Sequence, residues 1–271
     1  MKTDLGDQMS MTTIAEQLDA VSERFSELVA PLSDEQLDAA AQGTPTWTVR
    51  EVIAHVGSVP TFYRHQLDGL ERMVDIPRDL DAANQRRVDE RIGRPPLENC
   101  EELRTAAREL CELLGGLEAD HQIPFHAGTT ITPAAIAAVV VEEVNTHGLD
   151  IARTAGRPWT IDRADALLAW RAMAPLLGGW VDPDTTAGHT ATYELRLRGG
   201  DKYRFAFVDG ELSEPASDKR ANCVIWGDPV EMMKIMFRRS TPLRATLTGK
   251  ALAWGTRPWL AFSFGKRFQP V

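Results

Sequence analysis

The chain has 271 residues, of which 43% are apolar and 25% charged, a composition typical of a folded protein and not of a disordered or fibrous one. Its formal net charge of −9 argues against nucleic acid and anionic membrane surfaces as partners, because both attract basic proteins. No apolar stretch is long enough to span a bilayer, and the first ten residues lack the apolar segment of a secretory signal. The three cysteines form no CxxC motif and are odd in number, which is typical of a reducing compartment. These features predict a cytoplasmic protein.

The first half of the sequence predicts successive amphipathic helices. Three of their starts have the capping-box spacing, a Ser or Thr followed three residues later by Glu or Gln: Thr13 with Glu16, Ser33 with Gln36, and Thr48 with Glu51. We expect the second helix to end near Gly43 and the third to continue to about Met73.

Two more long helices follow a charged segment between Pro77 and Pro96, which we expect to be an excursion or a broken helix. Apolar residues keep helical period over 98–114, and Thr132 with Pro133 starts a helix that ends at Gly156. Four substantial helices bury their apolar stripes most simply as a four-helix bundle.

The pattern changes after Pro158. One more helix is predicted over 164–177 and a Gly- and Pro-containing linker over 178–188, after which alternation with period two predicts a hairpin from Tyr193 to Phe207. A strand over 221–226, a helix after Pro229 and a second hairpin over 243–254 complete an α+β domain. We therefore divide the chain into a helical bundle over 10–160, a connecting helix and linker over 161–188, and a small α+β domain over 189–271.

Glu143 and His147 are the most informative polar residues. They lie four apart in a predicted helix, so their side chains share one face and could bind one divalent metal. A third ligand must come from elsewhere, and His55 is the natural candidate because it lies on the inward side of its helix. For His65, His121, His126 and His189 we expect solvated side chains.

The segments around these residues resemble a known family. WTVREVIAHV, residues 47–56, and EVNTHGLD, residues 143–150, are similar to the two metal-binding signatures of the mycothiol-dependent maleylpyruvate isomerases of the DinB-like superfamily. The resemblance places the metal ligands of the family on His55, Glu143 and His147. It implies a DinB-type four-helix bundle that holds zinc or another divalent metal and uses mycothiol, a low-molecular-weight thiol.

The resemblance extends to the second domain. Residues 227–249, GDPVEMMKIMFRRSTPLRATLTG, are similar to the helix and following strand of the sterol-carrier-like α+β domain of these isomerases. A functional arginine of the family matches Arg239, which implies a catalytic or cofactor-binding role, with a merely solvated side chain as the alternative. The segment from Asp75 to Pro96 matches no part of the family pattern, so we expect substrate contacts to differ there.

Three protein ligands leave one position of a tetrahedral metal open, as in catalytic zinc sites. A thiol in that position is deprotonated and becomes a nucleophile at neutral pH. Asp150, one turn beyond His147, would orient a ligand imidazole or serve only as a helix-end charge. We expect an enzyme, a monomer or homodimer, that acts on a small electrophile by maleylpyruvate isomerisation or by thiol S-transfer, while Cys100 and Cys111 pack between helices.

A different class of function stays open. The apolar residues Met232, Met233 and Met236 could hold an apolar ligand in the C-terminal domain, which would make the protein a non-catalytic binding module. Such a module would keep its ligand after His147→Ala, whereas a thiol-dependent enzyme would lose turnover.

Overall fold

The structure, a computed structural model, describes residues 10–213 and 220–269. The first nine residues, where the sequence predicts no secretory signal, lie outside these ranges. The chain divides into two units between Ala172 and Met173. Within the described ranges, none of the helices combines the length and the hydropathy that a membrane span requires.

The first unit is mainly helical. Its helices are α1 (Met11–Val29), α2 (Asp34–Asp38), α3 (Val49–Leu67), α4 (Leu80–Asp89), α5 (Pro96–Gly115), α6 (Pro133–Ala155) and α7 (Arg163–Met173). The four longest of the bundle, α1, α3, α5 and α6, pack against one another. Their apolar stripes form a core in which Phe25, Leu103 and Ile136 are fully buried. The predicted helical bundle is therefore confirmed.

Local capping explains where several helices begin and end. The capping boxes at Ser33 and Thr48 are both complete, with each side chain accepting from the backbone of Gln36 or Glu51 and each N–H donating back. Helix α6 ends at Gly156, whose φ of 67° is the left-handed conformation that glycine adopts without a Cβ clash. These short-range signals place the helices that carry the site.

Other predicted boundaries were wrong. Helix α1 is capped by Ser10, whose hydroxyl accepts from Thr13 N, so Thr13 lies inside the helix. Helix α2 ends at Asp38, before Gly43, because the next residues form a small hairpin. Helix α3 ends at Leu67 instead of Met73, and the charged segment contains a 3₁₀ turn at Pro77–Asp79 followed by α4.

Two short hairpins join the helices. Strands β1 (Ala40–Ala41) and β2 (Thr44–Thr48) pair antiparallel, and β2 runs directly into α3. Strands β3 (Ile123–Pro124) and β4 (Thr130–Ile131) pair in the same way before α6. The first hairpin carries Thr44, whose hydroxyl donates to Asp150 of α6 at 3.2 Å.

The second unit is a small α+β domain. In chain order it contains a 3₁₀ helix (Ala174–Trp180), α8 (Pro183–Thr186), β5 (Ala191–Leu197), β6 (Lys202–Val208), β7 (Glu211–Ser213), β8 (Cys223–Gly227), α9 (Pro229–Met236), α10 (Pro242–Leu247), β9 (Ala251–Trp254) and a second 3₁₀ helix (Pro258–Arg267).

The strands form a five-stranded sheet in the order β7-β6-β5-β8-β9, in which only β5 and β8 pair in parallel. The predicted first hairpin is confirmed, with Tyr193 opposite Phe205 in the antiparallel pair. Alternate residues of β5 are buried, as the period of two predicts. The overall α plus α+β fold class is therefore confirmed, while the likeness of this unit to sterol carrier proteins stays a prediction.

The second predicted hairpin, over 243–254, was wrong. Thr241 caps a helix there by accepting from Arg244 N, and Pro242 occupies the first helical position, so α10 precedes the single strand β9. The helix predicted over 164–177 is also shorter, because Pro175 has no N–H to continue α7 beyond Met173. The predicted linker contains the short helix α8.

Candidate metal centre

Helix α3 carries His55 into the bundle core. Its first turn is held by Glu51 Oε2, which accepts from Thr48 N at 2.7 Å. His55 follows one turn later and is 4% exposed. The strong start of the helix thus determines the direction in which this imidazole points, which is inward, as the sequence predicts.

Helix α6 brings Glu143 and His147 to the same place. Glu143 Oε2 lies 3.4 Å from His55 Nε2 and 3.3 Å from His147 Nε2. One ligand atom from each of the three side chains lies within 4.8 Å of the others. The two rings are nearly perpendicular, at 84°, with centroids 5.1 Å apart. One carboxylate oxygen therefore lies between two imidazole nitrogens.

Asp150 orients the second imidazole. Its Oδ2 lies 3.2 Å from His147 Nδ1, and Thr44 Oγ1 donates to the same oxygen at 3.2 Å. Asp150 is completely buried. Because Nδ1 is engaged by Asp150, Nε2 is the nitrogen of His147 that faces Glu143. This is the arrangement by which proteins usually hold a metal-binding histidine.

The charges of the cluster are strongly coupled. Burial lowers the pKa of His55 by more than its hydrogen bond with Glu143 raises it. Burial also opposes the charged form of His147, but its hydrogen bonds with Asp150 and Glu143 outweigh burial and raise its pKa to about 9. Burial would raise the pKa of Glu143, yet the two histidines lower it well below the usual range. The carboxylate thus attracts positive charge, which a proton on His147 supplies when no cation is bound.

The donor set fits a divalent metal. Two imidazole nitrogens and one carboxylate oxygen are a known ligand set of catalytic zinc, and they leave one coordination position open. Nε2 is the nitrogen of His55 that faces Glu143. Its other nitrogen, Nδ1, is buried and has no hydrogen-bond partner among the described residues. Loading of a cation would require His147 to release its proton.

Two polar residues near His55 were not singled out from the sequence. The Trp47 ring lies 5.0 Å from the His55 ring, centroid to centroid, and its Nε1 donates to Gln85 Oε1 at 2.7 Å. The sequence marks Trp47 only as the first residue of the segment WTVREVIAHV. Because Gln85 belongs to α4, this bond brings the charged segment between Pro77 and Pro96 beside the cluster.

Arg239 lies in the second unit, in the turn after α9. Its backbone N–H donates to Lys234 O at 2.6 Å, and its Nη1 donates to Phe237 O at 2.6 Å. The preceding residue, Arg238, has a φ of 61°. These contacts describe the turn, and a catalytic or cofactor-binding role of Arg239 stays a prediction.

The expectation of a solvated His126 was wrong. This residue is 4% exposed, its Nδ1 accepts from Val74 N at 3.0 Å, and its ring stacks on Phe62. Burial lowers its pKa to about 4, so the ring is neutral. No sequence pattern marks this environment, because Val74 is 52 residues away in the chain. His121 is exposed as expected, whereas His65 and His189 are half-buried.

The cysteines are placed for packing. Cys100, Cys111 and Cys223 are all buried free thiols. Burial raises the pKa of Cys100 to about 12 and that of Cys111 to about 11. Thiols in this state are poor nucleophiles, so a nucleophilic sulfur would have to come from another molecule.

The methionines of α9 serve mainly as core. Met232 and Met233 are 6% and 1% exposed, and Phe237 is 6% exposed. Their side chains fill the interior of the second unit, and Met232 packs against Gly227, where a Cβ would lie 2.5 Å from the sulfur. This placement does not favour an apolar ligand site built from these residues.

A family model and solved structures resemble this chain. The family described as "Mycothiol maleylpyruvate isomerase N-terminal domain" matches residues 18–152, a segment that contains all three side chains of the cluster. No curated protein matches the chain.

Two solved structures share the fold. A crystal structure of a histidine-to-alanine mutant of the mycothiol-dependent maleylpyruvate isomerase has a TM-score of 0.55 at 14% identity, and the match covers 90% of this chain and 92% of that one. The crystal structure of the isomerase itself has a TM-score of 0.54 at 14% identity, with 85% and 90% covered. At this identity the likeness shows the fold alone, and it includes both units.

Proposed function

Through residues 18–152 the chain belongs to the family of the mycothiol maleylpyruvate isomerase N-terminal domain, and from this premise we propose that it is a metal-dependent enzyme that uses mycothiol. His55, Glu143 and His147 would hold zinc or another divalent cation. The second substrate would be a small electrophile. Both the thiol and the electrophile are small molecules, as a buried mononuclear centre requires.

The observation that carries this proposal is the convergence of three ligand atoms within 4.8 Å, contributed by two helices of the bundle core. A divalent cation bound there would lower the pKa of a thiol and so supply a nucleophile at neutral pH. The protein contributes a fixed orientation, because Asp150 holds His147 and the start of α3 holds His55. The buried thiols of the chain offer no competing nucleophile.

In an isomerisation, the sulfur lone pair of mycothiol forms a C–S bond to one alkene carbon, and the π electrons move into the conjugated carbonyl group. The former double bond is then single and can rotate. Return of the electrons restores the alkene and expels the thiolate. In an S-transfer, the C–S bond persists in the product. The same three ligands serve both reactions, so we propose the shared first step, with maleylpyruvate isomerisation as the reaction of the family.

Metal analysis of purified protein tests the site directly. We expect near one equivalent of zinc in wild type, and near zero after His55→Ala, Glu143→Ala or His147→Ala, measured by mass spectrometry of digested protein after dialysis. Asp150→Asn should bind zinc about 10- to 100-fold more weakly, because it replaces the charged carboxylate that orients His147 with a neutral amide. His121→Ala is the matched control, since that histidine is exposed.

The activity assay uses maleylpyruvate as the electrophile. Isomerisation is measured as cis–trans conversion, because it regenerates the thiol, and S-transfer is measured as loss of free mycothiol. Turnover should require both the thiol and the metal and should disappear on chelation. Wild type that stays metal-free in excess zinc, or turnover that survives chelation, would contradict the proposal.

A further inference from the structure

Arg87 lies on α4, on the side that faces the metal-binding helices. Its Cζ is 4.1 Å from the centroid of the Phe62 ring, a cation–π contact. Phe62 follows His55 by seven residues on α3, which is about two helical turns, so both project from the same face of that helix. Arg87 therefore lies over the face of α3 that carries the first metal-binding histidine.

The side chain of Arg87 makes a single hydrogen bond to the described residues. Its Nη2 donates to Asn84 Oδ1, and its Nε is buried without a hydrogen-bond partner. Within the described ranges, no carboxylate forms a salt bridge with Arg87. One turn later on the same side of the chain, Arg91 binds Glu102 through Nε and Nη2 and binds Glu90 as well. The two arginines differ in that only Arg91 has its charge neutralised.

A half-buried cation without a salt bridge is costly, because the hydrogen bond to Asn84 and the contact with the Phe62 ring replace only part of its hydration. Burial accordingly lowers the pKa of Arg87, while electrostatic interactions with Tyr63, Glu71 and, more weakly, Glu143 of the cluster raise it. Nη1 and the second hydrogen of Nη2 remain able to donate two parallel hydrogen bonds to a planar carboxylate.

We propose that Arg87 binds a carboxylate of the electrophilic substrate and so selects anionic substrates at the metal centre. The inference rests on the proposed function for the presence of an electrophile beside the cluster. It assigns the recognition of the substrate charge to α4, which lies within the range that the family model matches. The three metal ligands then need to provide no anion recognition of their own.

The test compares a charged probe with an uncharged one. Maleate, a dianion, is titrated into zinc-loaded protein by calorimetry, and dimethyl maleate, its uncharged diester, is offered as acceptor for mycothiol with loss of free thiol as readout. The variants are Arg87→Met, Arg87→Lys and the control Arg86→Met, which removes the same charge from an exposed neighbour on α4.

We expect Arg87→Met to weaken maleate binding by at least about tenfold, because it removes charge-assisted hydrogen bonds to the anion. Arg87→Lys should lose less, since it keeps the charge but not the fork. Arg86→Met should stay within about twofold of wild type. Addition of mycothiol to dimethyl maleate should fall by a smaller factor than maleate binding in Arg87→Met, and zinc content near one equivalent would show that each variant is folded.

Three outcomes would each overturn the inference. Maleate affinity could fall equally in Arg87→Met and Arg86→Met, Arg87→Met could impair the charged and the uncharged probe equally, or wild type could fail to bind maleate. The two proposals fail separately. Maleate binding that depends on Arg87 in protein that binds no zinc would overturn the proposed function alone. If the protein binds zinc and adds mycothiol to the electrophile, but its affinity for maleate does not depend on Arg87, only the role proposed for Arg87 is overturned.

Discussion

His126 is a buried imidazole whose unprotonated Nδ1 accepts the backbone N–H of Val74 at 3.0 Å. Burial lowers its pKa from 6.5 to about 4, so between these pH values the unfolded chain binds a proton that the folded chain excludes. The stability contributed by neutral His126 is therefore present above pH 6.5 and is lost as the pH falls toward 4. The full effect is on the order of 3 kcal/mol.

We predict that the advantage of wild type over His126→Gln in free energy of unfolding shrinks by up to about 3 kcal/mol between pH 7 and pH 4. Urea unfolding in the presence of a chelator measures this difference without metal-linked protonation. His121→Gln is the control, because it makes the same substitution at an exposed position. A pH-independent difference for His126→Gln would disprove the assignment of a neutral ring.

At the residue scale, local spacing predicted which side chains lie together on one helix. It did not predict contacts between residues that are far apart in the sequence. Glu143 and His147 were found because four residues make one helical turn. His55 was found by its inward position and by the family resemblance. Gln85 and Arg87 could not be found in this way, because their partners Trp47 and Phe62 lie on other elements and no periodicity connects them.

Gly57 marks the closest approach of two bundle helices. A Cβ added to this residue of α3 would lie 2.7 Å from the backbone oxygen of Asn99 on α5, and 3.1 Å from its Cβ. Backbone atoms in a helix cannot give way as a flexible side chain can, so the two helices would have to separate. Only glycine allows this spacing, two residues after His55.

We predict that Gly57→Ala destabilises the protein by about 1–3 kcal/mol, although alanine is the better helix former. Gly115→Ala is the matched control, because that glycine also lies in a helix but has open space around its missing Cβ, so it should be neutral or slightly stabilising. Chemical unfolding of the three proteins gives the comparison. Equal stability of Gly57→Ala and wild type would show that the α3–α5 contact is looser than described.

At the element scale, capping patterns predicted where helices begin more accurately than alternating hydrophobicity predicted strands and hairpins. The boxes at Ser33 and Thr48 were correct to the residue because each is closed by atoms within four positions. The short hairpin that precedes α3 was missed, since five residues of β2 carry no clear period. The segment after Thr241 was interpreted as a hairpin although its Thr-Pro start is the same helix signal as Thr132 with Pro133.

At the scale of the whole chain, folding and metal binding are linked, because the three ligands come together only in the folded bundle. His55 and Glu143 are 88 residues apart in sequence, so an unfolded chain does not hold them in one coordination sphere. A cation that binds the folded form alone therefore raises its stability by an amount set by its free concentration and affinity.

We predict that zinc at about 100 times its dissociation constant stabilises the helical unit by about 2.7 kcal/mol and raises its Tm by roughly 5–10 °C. Far-ultraviolet circular dichroism during heating follows this unit, since its secondary structure is mainly helical. His147→Ala should show no increase, because it leaves only two of the three ligands, whereas His121→Ala should respond like wild type. Magnesium at the same concentration should have little effect, since it prefers sites made only of oxygen. An equal increase in wild type and His147→Ala would mean that zinc acts elsewhere on the chain, and the bundle would then owe none of its stability to the cluster.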